Sequence, residues 1–234
     1  MSREQILRQH YKEVIYSQEH LELLKKKRIQ ALNLLELFRR NNLDPYVYGS
    51  VARGDVHPDS DIDIAFLYRV PPYKVEYILQ KQDIGQYNRE IIMATPADSP
   101  KLYIYLSELK CITIPLTKLS RSSRLFYDFG GKLDYNQLKR DIRVPGVDKR
   151  LVLIKPTEKG YEEFSIINQE SVAAKTVGVP ISIINERKKV LLRREKHGRT
   201  GVFLKEELSL NETVQGALKR LAQENSIIRK KLNL

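Results

Sequence analysis

The stretch Gly49-Ser50-Val51-Ala52-Arg53-Gly54, followed after a short loop by Asp59-Ser60-Asp61-Ile62-Asp63-Ile64, decides the reading of this chain. It opens behind Tyr46-Val47-Tyr48, an aromatic and β-branched triplet that predicts a short strand. Residues 61–68 predict a second strand, with Ile62, Ile64, Phe66 and Tyr68 alternating against Asp61, Asp63, Ala65 and Leu67. Side chains two positions apart on a strand leave the same face, roughly 7 Å apart at the backbone. Asp61 and Asp63 can therefore converge on a cation while Ile62 and Ile64 anchor the strand from behind. Gly49 has no Cβ to block a phosphate, and Ser50 adds a hydroxyl to the backbone N–H groups of the turn. Arg53 either supports a triphosphate or closes an internal salt bridge, and the sequence leaves both open. Gly54 permits the reversal between the strands.

Phosphoryl chemistry calls for this combination. A nucleoside triphosphate reacts at its α-phosphorus only when its charge is neutralised, and two divalent ions about 4 Å apart can do so. Mg²⁺ prefers oxygen ligands and takes one or two carboxylates, with phosphates and water completing its shell.

The composite motif resembles the signature of the polymerase-β-like nucleotidyltransferase superfamily in its minimal form, across about residues 29–116. The resemblance implies that Gly49 and Ser50 hold the triphosphate and that Asp61 and Asp63 bind Mg²⁺, two ions being expected. It also implies a third carboxylate on a following strand. There the pattern weakens, because Leu102-Tyr103-Ile104-Tyr105 offers tyrosines. Glu90 is the best candidate for that catalytic role and Asp98 the next; either could be a plain surface acid.

Outward from the motif, apolar residues from Leu7 to Phe38 recur at helical spacing and predict a helix over residues 3–41. The run Lys25-Lys26-Lys27-Arg28 inside it reads as a solvated face. A helix from Pro72 to about Gln82 and strands over 90–94, 102–106 and 111–114 complete an α/β (α+β) domain with a mixed sheet. Arg143-Val144-Pro145-Gly146-Val147 reads as a connector; the phrase it opens, through Arg150, has a family-like look to which the sequence attaches no mechanism. Three parts are expected: an N-terminal helix (1–28), the nucleotidyltransferase domain (29–140) and a mainly helical domain (141–234).

In that last part, a strand at 150–154 precedes two helices that turn at Gly178, which resembles a helix-turn-helix or winged helix. Its second helix carries Asn185, Arg187, Lys188, Lys189, Arg193 and Arg194, side chains suited to phosphates and base edges. Lys196-His197-Gly198-Arg199-Thr200-Gly201 could form a basic wing. Residues 211–233 predict a final helix whose stripe of Val214, Leu218, Leu221 and Ile228 serves the core or a homodimer contact. The arrangement resembles archaeal-type nucleotidyltransferases with an appended nucleic-acid-binding domain.

The 234 residues carry a net charge of +12, a surplus that suits a polyanionic partner such as nucleic acid. There is one cysteine, Cys111, so a cysteine-rich zinc site or an intramolecular disulfide is excluded and a reducing, cytoplasmic setting fits. No run of eighteen apolar residues exists to span a membrane, and the N-terminus does not read as a secretory signal. A P-loop is absent, and His57, in the loop before Asp61, reads as a surface residue. Two functions are expected to compete: Mg²⁺-dependent transfer of a nucleoside monophosphate from an NTP to an acceptor, most simply nucleic acid, and DNA-binding regulation by a domain that holds nucleotide without catalysis. Modification of a partner protein is a third possibility.

Overall fold

The computed structural model describes residues 5–86, 88–198, 201–209 and 211–232. The predicted first helix is corrected at its start. Residues Tyr11–Ile15 form a strand, β1, and the helix α1 runs Gln18–Arg39. Ser17 marks the boundary, its hydroxyl accepting from the His20 N–H at 3.3 Å as an N-cap. Leu7, Tyr11 and Val14 fit a helical period only because that period was carried across the cap. Residues 3 and 4, the predicted start, lie outside the described residues.

Next come β2 (Tyr46–Tyr48), the one-turn helix α2 (Ser50–Arg53), β3 (Ile62–Ala65), α3 (Pro72–Lys81), β4 (Asn88–Met93), β5 (Lys101–Ser107) and β6 (Lys110–Pro115). After these stand α4 (Arg121–Gly130), β7 (Lys132–Leu133) and α5 (Tyr135–Lys139). Among the described residues the central sheet has the order β11-β4-β5-β6-β3-β2-β7, where β11 is Leu204–Glu207. β3 and β6 run parallel and the other pairs antiparallel, so the sheet is mixed, as expected. Alternation divides its faces. Ile62 and Ile64 enter the main core with Ala31, Leu35 and Phe38 of α1. Ala65 lies on the other face, under Tyr127 of α4, and Asp63 shares that face.

The second half is less helical than expected. β8 (Gly146–Val147), β9 (Val152–Pro156) and β10 (Gly160–Ser165) form an antiparallel sheet completed by β1, in the order β1-β10-β9-β8. Gly160 is required there, because a Cβ would sit 1.8 Å from the Val14 carbonyl oxygen. The helices α6 (Glu170–Val177) and α7 (Ile181–His197) do form, separated at Gly178 (φ +70°). Ala173, Ala174, Ile183 and Ile184 pack with Leu153 and Ile166 in a second core.

The packing does not follow the expected cuts at 28 and 141. Ile6 joins the second core, whereas Leu208, Val214, Leu221 and Ile228 return to the first. The predicted final helix is two, α8 (Val214–Glu224) and α9 (Ser226–Leu232). Asn225 separates them by accepting from the Ile227 N–H at 2.9 Å with its own side chain, a new cap rather than a continued turn. The apolar stripe faces the core. Arg199 and Thr200 of the expected wing, with Asn233, lie outside the described residues. No helix among those described is long and apolar enough to cross a membrane.

Candidate active site

The Gly49-Ser50 turn stands where β2 meets α2. Gly49 takes φ +82° and ψ −147°, a conformation suited to glycine, and the space that its Cβ would enter is open for 4 Å. Its N–H donates to the Gly131 carbonyl at 2.9 Å, which ties the turn to the residue that follows α4. The Ser50 hydroxyl and the first N–H groups of α2 are what this turn can offer a phosphate. Tyr48 pairs in register with Asp63, so the turn and the carboxylate share one end of the sheet.

Asp61 is exposed just ahead of β3, and Asp63 is mostly buried within it. Burial pushes the Asp63 carboxyl up to about 7; the charge of Asp61 adds to this and Lys149 opposes it. Two carboxylates this close, one of them desolvated, form a site that a cation would relieve. Their donor chemistry fits Mg²⁺.

Arg53 resolves to the internal alternative. Its guanidinium is buried and donates to Asp55 at 3.0 and 2.9 Å and to the Gly130 carbonyl at 2.7 Å. The expected nucleotide-binding role is therefore corrected: Arg53 braces the turn from behind.

Glu90 does not join the pair. It lies on β4, separated from β3 by β5 and β6, or about 14 Å at the usual spacing of strands. Lys205 holds its carboxylate at 2.9 Å, and the Tyr105 hydroxyl reaches it at 3.4 Å. The position beside Asp63 on the parallel neighbour belongs to Cys111, whose thiol burial pushes well above its ordinary range, with Asp63 adding to the shift. Asp98 accepts from Thr95 at 2.9 Å. No group of three or more metal-ligating side chains converges among the described residues.

The expected nucleic-acid side chains on α7 divide. Lys188 pairs with Glu170 at 2.5 Å, and the Arg187 guanidinium lies 4.6 Å from the Phe126 ring of α4. Asn185 and Arg194 are half-buried and Arg193 is exposed.

Several supporting residues were missed in the sequence. Lys27 and Arg28, expected in solvent, are 7% and 5% exposed. Lys27 donates to the carbonyls of Pro58 (3.0 Å) and Ser60 (2.7 Å), fixing the loop into Asp61. Arg28 reaches the carbonyls of Val51 (3.2 Å) and Ile142 (2.5 Å). The signal was present: Leu24, Lys27, Arg28, Ala31, Leu35 and Phe38 form one helical stripe in which two cations occupy core positions. Tyr16 and His20 both contact the Gly54 carbonyl, at 3.0 and 2.8 Å. Lys149 comes from the phrase at 143–150 and is held in a turn where Asp148 accepts from the N–H groups of Arg150 and Val152 at 2.9 and 3.1 Å.

Residues 14–118 match the nucleotidyltransferase domain family. Over that region the chain is a nucleotidyltransferase domain of the polymerase-β-like superfamily, which the mixed sheet, the Gly49-Ser50 turn and the Asp61/Asp63 pair fit. The match supports nucleotidyl transfer, with an NTP as donor. No curated protein and no solved structure matches the chain.

Proposed function

We propose that this protein transfers a nucleoside monophosphate from a Mg²⁺-bound NTP to a hydroxyl of a nucleic acid. The observation that carries the reading is the register of Tyr48 with Asp63, which sets the Gly49-Ser50 turn beside the carboxylate pair. Gly49 leaves room for the β- and γ-phosphates, and the Ser50 hydroxyl donates to them. Asp61 and Asp63 would hold Mg²⁺, which supplies charge neutralisation at the α-phosphate. With two converging carboxylates, the pair suits one ion held mainly by protein; a second would rest on substrate phosphates and water. The acceptor hydroxyl gives up its proton to solvent as its oxygen forms a bond to the α-phosphorus, and the bond from that phosphorus to the bridging oxygen breaks to release pyrophosphate. The protein's contribution is position and electrostatics. Lys27, Arg28, Arg53 and the Tyr16/His20 pair stiffen the loops that carry the reacting groups. The basic surplus of the chain and the exposed Arg193 support nucleic acid as acceptor.

The test is pyrophosphate release from each NTP with Mg²⁺ and a mixed pool of RNA and DNA. Asp61→Asn and Asp63→Asn should each lower the rate at least about a hundredfold with the fold retained. Equal rates in the wild type and both variants would sink the assignment.

One observation favours a second reading, a regulator that binds nucleotide without catalysis: Cys111 stands where a third carboxylate beside Asp63 would stand. Such a protein would bind Mg²⁺·NTP in calorimetry and release no pyrophosphate with any acceptor.

A further inference from the structure

We infer that the end of the sheet remote from Asp63 carries a phosphate-binding cleft, built by Arg69, Lys118, Arg121, Arg124 and Lys231, that holds the backbone of the nucleic-acid acceptor. This rests on the reading of that acceptor as nucleic acid. Because β3 and β6 run parallel, the segments after them leave the sheet at the same end. They deliver Arg69 from one segment, and Lys118 and the start of α4 from the other. α9 closes the cleft, with Lys231 donating to the Ala97 carbonyl at 2.8 Å. The Ser99 hydroxyl pins the Lys118 carbonyl at 3.1 Å. The result is a cavity of about 650 Å³ lined by five cations and no acidic side chain.

Two further observations bear on this cleft. Elsewhere in the molecule several buried or half-buried cations meet carboxylates, as in the pairs Arg53–Asp55, Lys188–Glu170 and Arg220–Glu206. Arg69, Lys118, Arg121 and Arg124 have no carboxylate partner among the described residues. Moreover, Arg121 and Arg124 stand in the first turn of α4, which has no acid. A helix favours negative charge at that end, so the sequence places cations there against the helix's own preference. A bound phosphate reverses that penalty.

The placement also suits an acceptor. α4 runs from the cleft to Gly131, whose carbonyl accepts the Gly49 N–H, so one helix joins the cleft to the triphosphate turn. Its ten residues measure about 15 Å. A nucleic-acid strand covers that distance with roughly four or five phosphates. A strand end at Asp61 and Asp63 would thus keep its backbone in the cleft.

The experiment is fluorescence anisotropy of the full chain with a short labelled single-stranded RNA, with DNA of the same sequence, and with vesicles of phosphatidylserine, across a salt series. Arg121→Glu/Arg124→Glu should weaken oligonucleotide binding about tenfold or more and reduce the salt slope by roughly 1.4. Both positions are exposed, and an acid in the first turn of α4 favours the helix, so the variant should fold; its circular dichroism and melting curve check this. Lys118→Glu, outside the helix, should act in the same direction. Oligonucleotide affinity unchanged in both variants would overturn the cleft while leaving nucleotidyl transfer intact. A wild type that binds vesicles and neither oligonucleotide would overturn both the cleft's occupant and the nucleic-acid acceptor. Binding needs no turnover, so a chain that binds through the cleft yet releases no pyrophosphate would support the cleft and defeat the catalytic reading.

Discussion

At one end of the central sheet Asp61 and Asp63 hold negative charge that, among the described residues, no cation meets in an ion pair; at the other, Arg69, Lys118, Arg121 and Arg124 hold positive charge that no carboxylate of those residues meets. Between these ends several buried cations have partners. Arg53 meets Asp55, and Arg28 and Lys27 meet main-chain carbonyls. The contrast teaches that ion pairing alone does not mark function here. The braces are held by partners within the chain, whereas the proposed ligand sites are where the fold leaves charge without an ion-pair partner among the described residues. A triphosphate with its metal would complete one end and a phosphate backbone the other.

The sharpest way to break this comparison is to disturb a saturated charge. Arg53→Met would strand the buried Asp55 and release both Gly130 and the turn, and should cost about 3–5 kcal/mol in chemical denaturation. A loss near zero would mean that the Arg53–Asp55 pair is no brace. The opposite sign is expected at the uncompensated end. Asp63 keeps its proton in the folded chain up to about 7, whereas the unfolded chain releases it near pH 4. Between those values the folded state binds more protons, so its stability falls as pH rises. With EDTA present, Asp63→Asn should remove that fall and exceed the wild type by up to about 4 kcal/mol above neutral pH, even as it abolishes transfer. Equal stability of the two proteins at both ends of the range would remove the argument that Asp63 is held against its own preference. The smallest effect is expected on α7. Arg193→Glu/Arg194→Glu should weaken RNA binding only about two- to threefold in the anisotropy assay, because α7 commits Lys188 to Glu170 and lays Arg187 against Phe126. A larger loss there than at Arg121 and Arg124 would move the main phosphate contact to α7.

The strand that carries Asp63 was legible because its signal is local. Alternation fixes which side chains share a face, so Asp61 and Asp63 could be paired, and Ile62 and Ile64 sent inward, from spacing alone. The strands β4, β5 and β6 and the turn at Gly178 were legible for the same reason. What failed depends on partners distant in sequence. Tyr11–Ile15 is a strand because Tyr161 and Phe164 of β10 stand opposite it, and nothing in its own stretch of sequence says so. Lys27 and Arg28 look solvated in a basic run until the loop carbonyls they serve, at 51, 58, 60 and 142, fold against them.

The sequence by itself determined the chemistry available at this site: a glycine-serine turn, a carboxylate pair at strand spacing and a basic chain. Tertiary structure alone decided which groups meet. It placed Cys111 rather than Glu90 beside Asp63, turned Arg53 inward, and sent the C-terminal helices back to the first core. It also gathered cations from residues 69, 118, 121, 124 and 231 into one cleft. The reason is physical: side-chain direction along a strand or helix follows from a fixed local period, whereas strand order and the balance of buried charge depend on contacts between segments that are far apart in the chain.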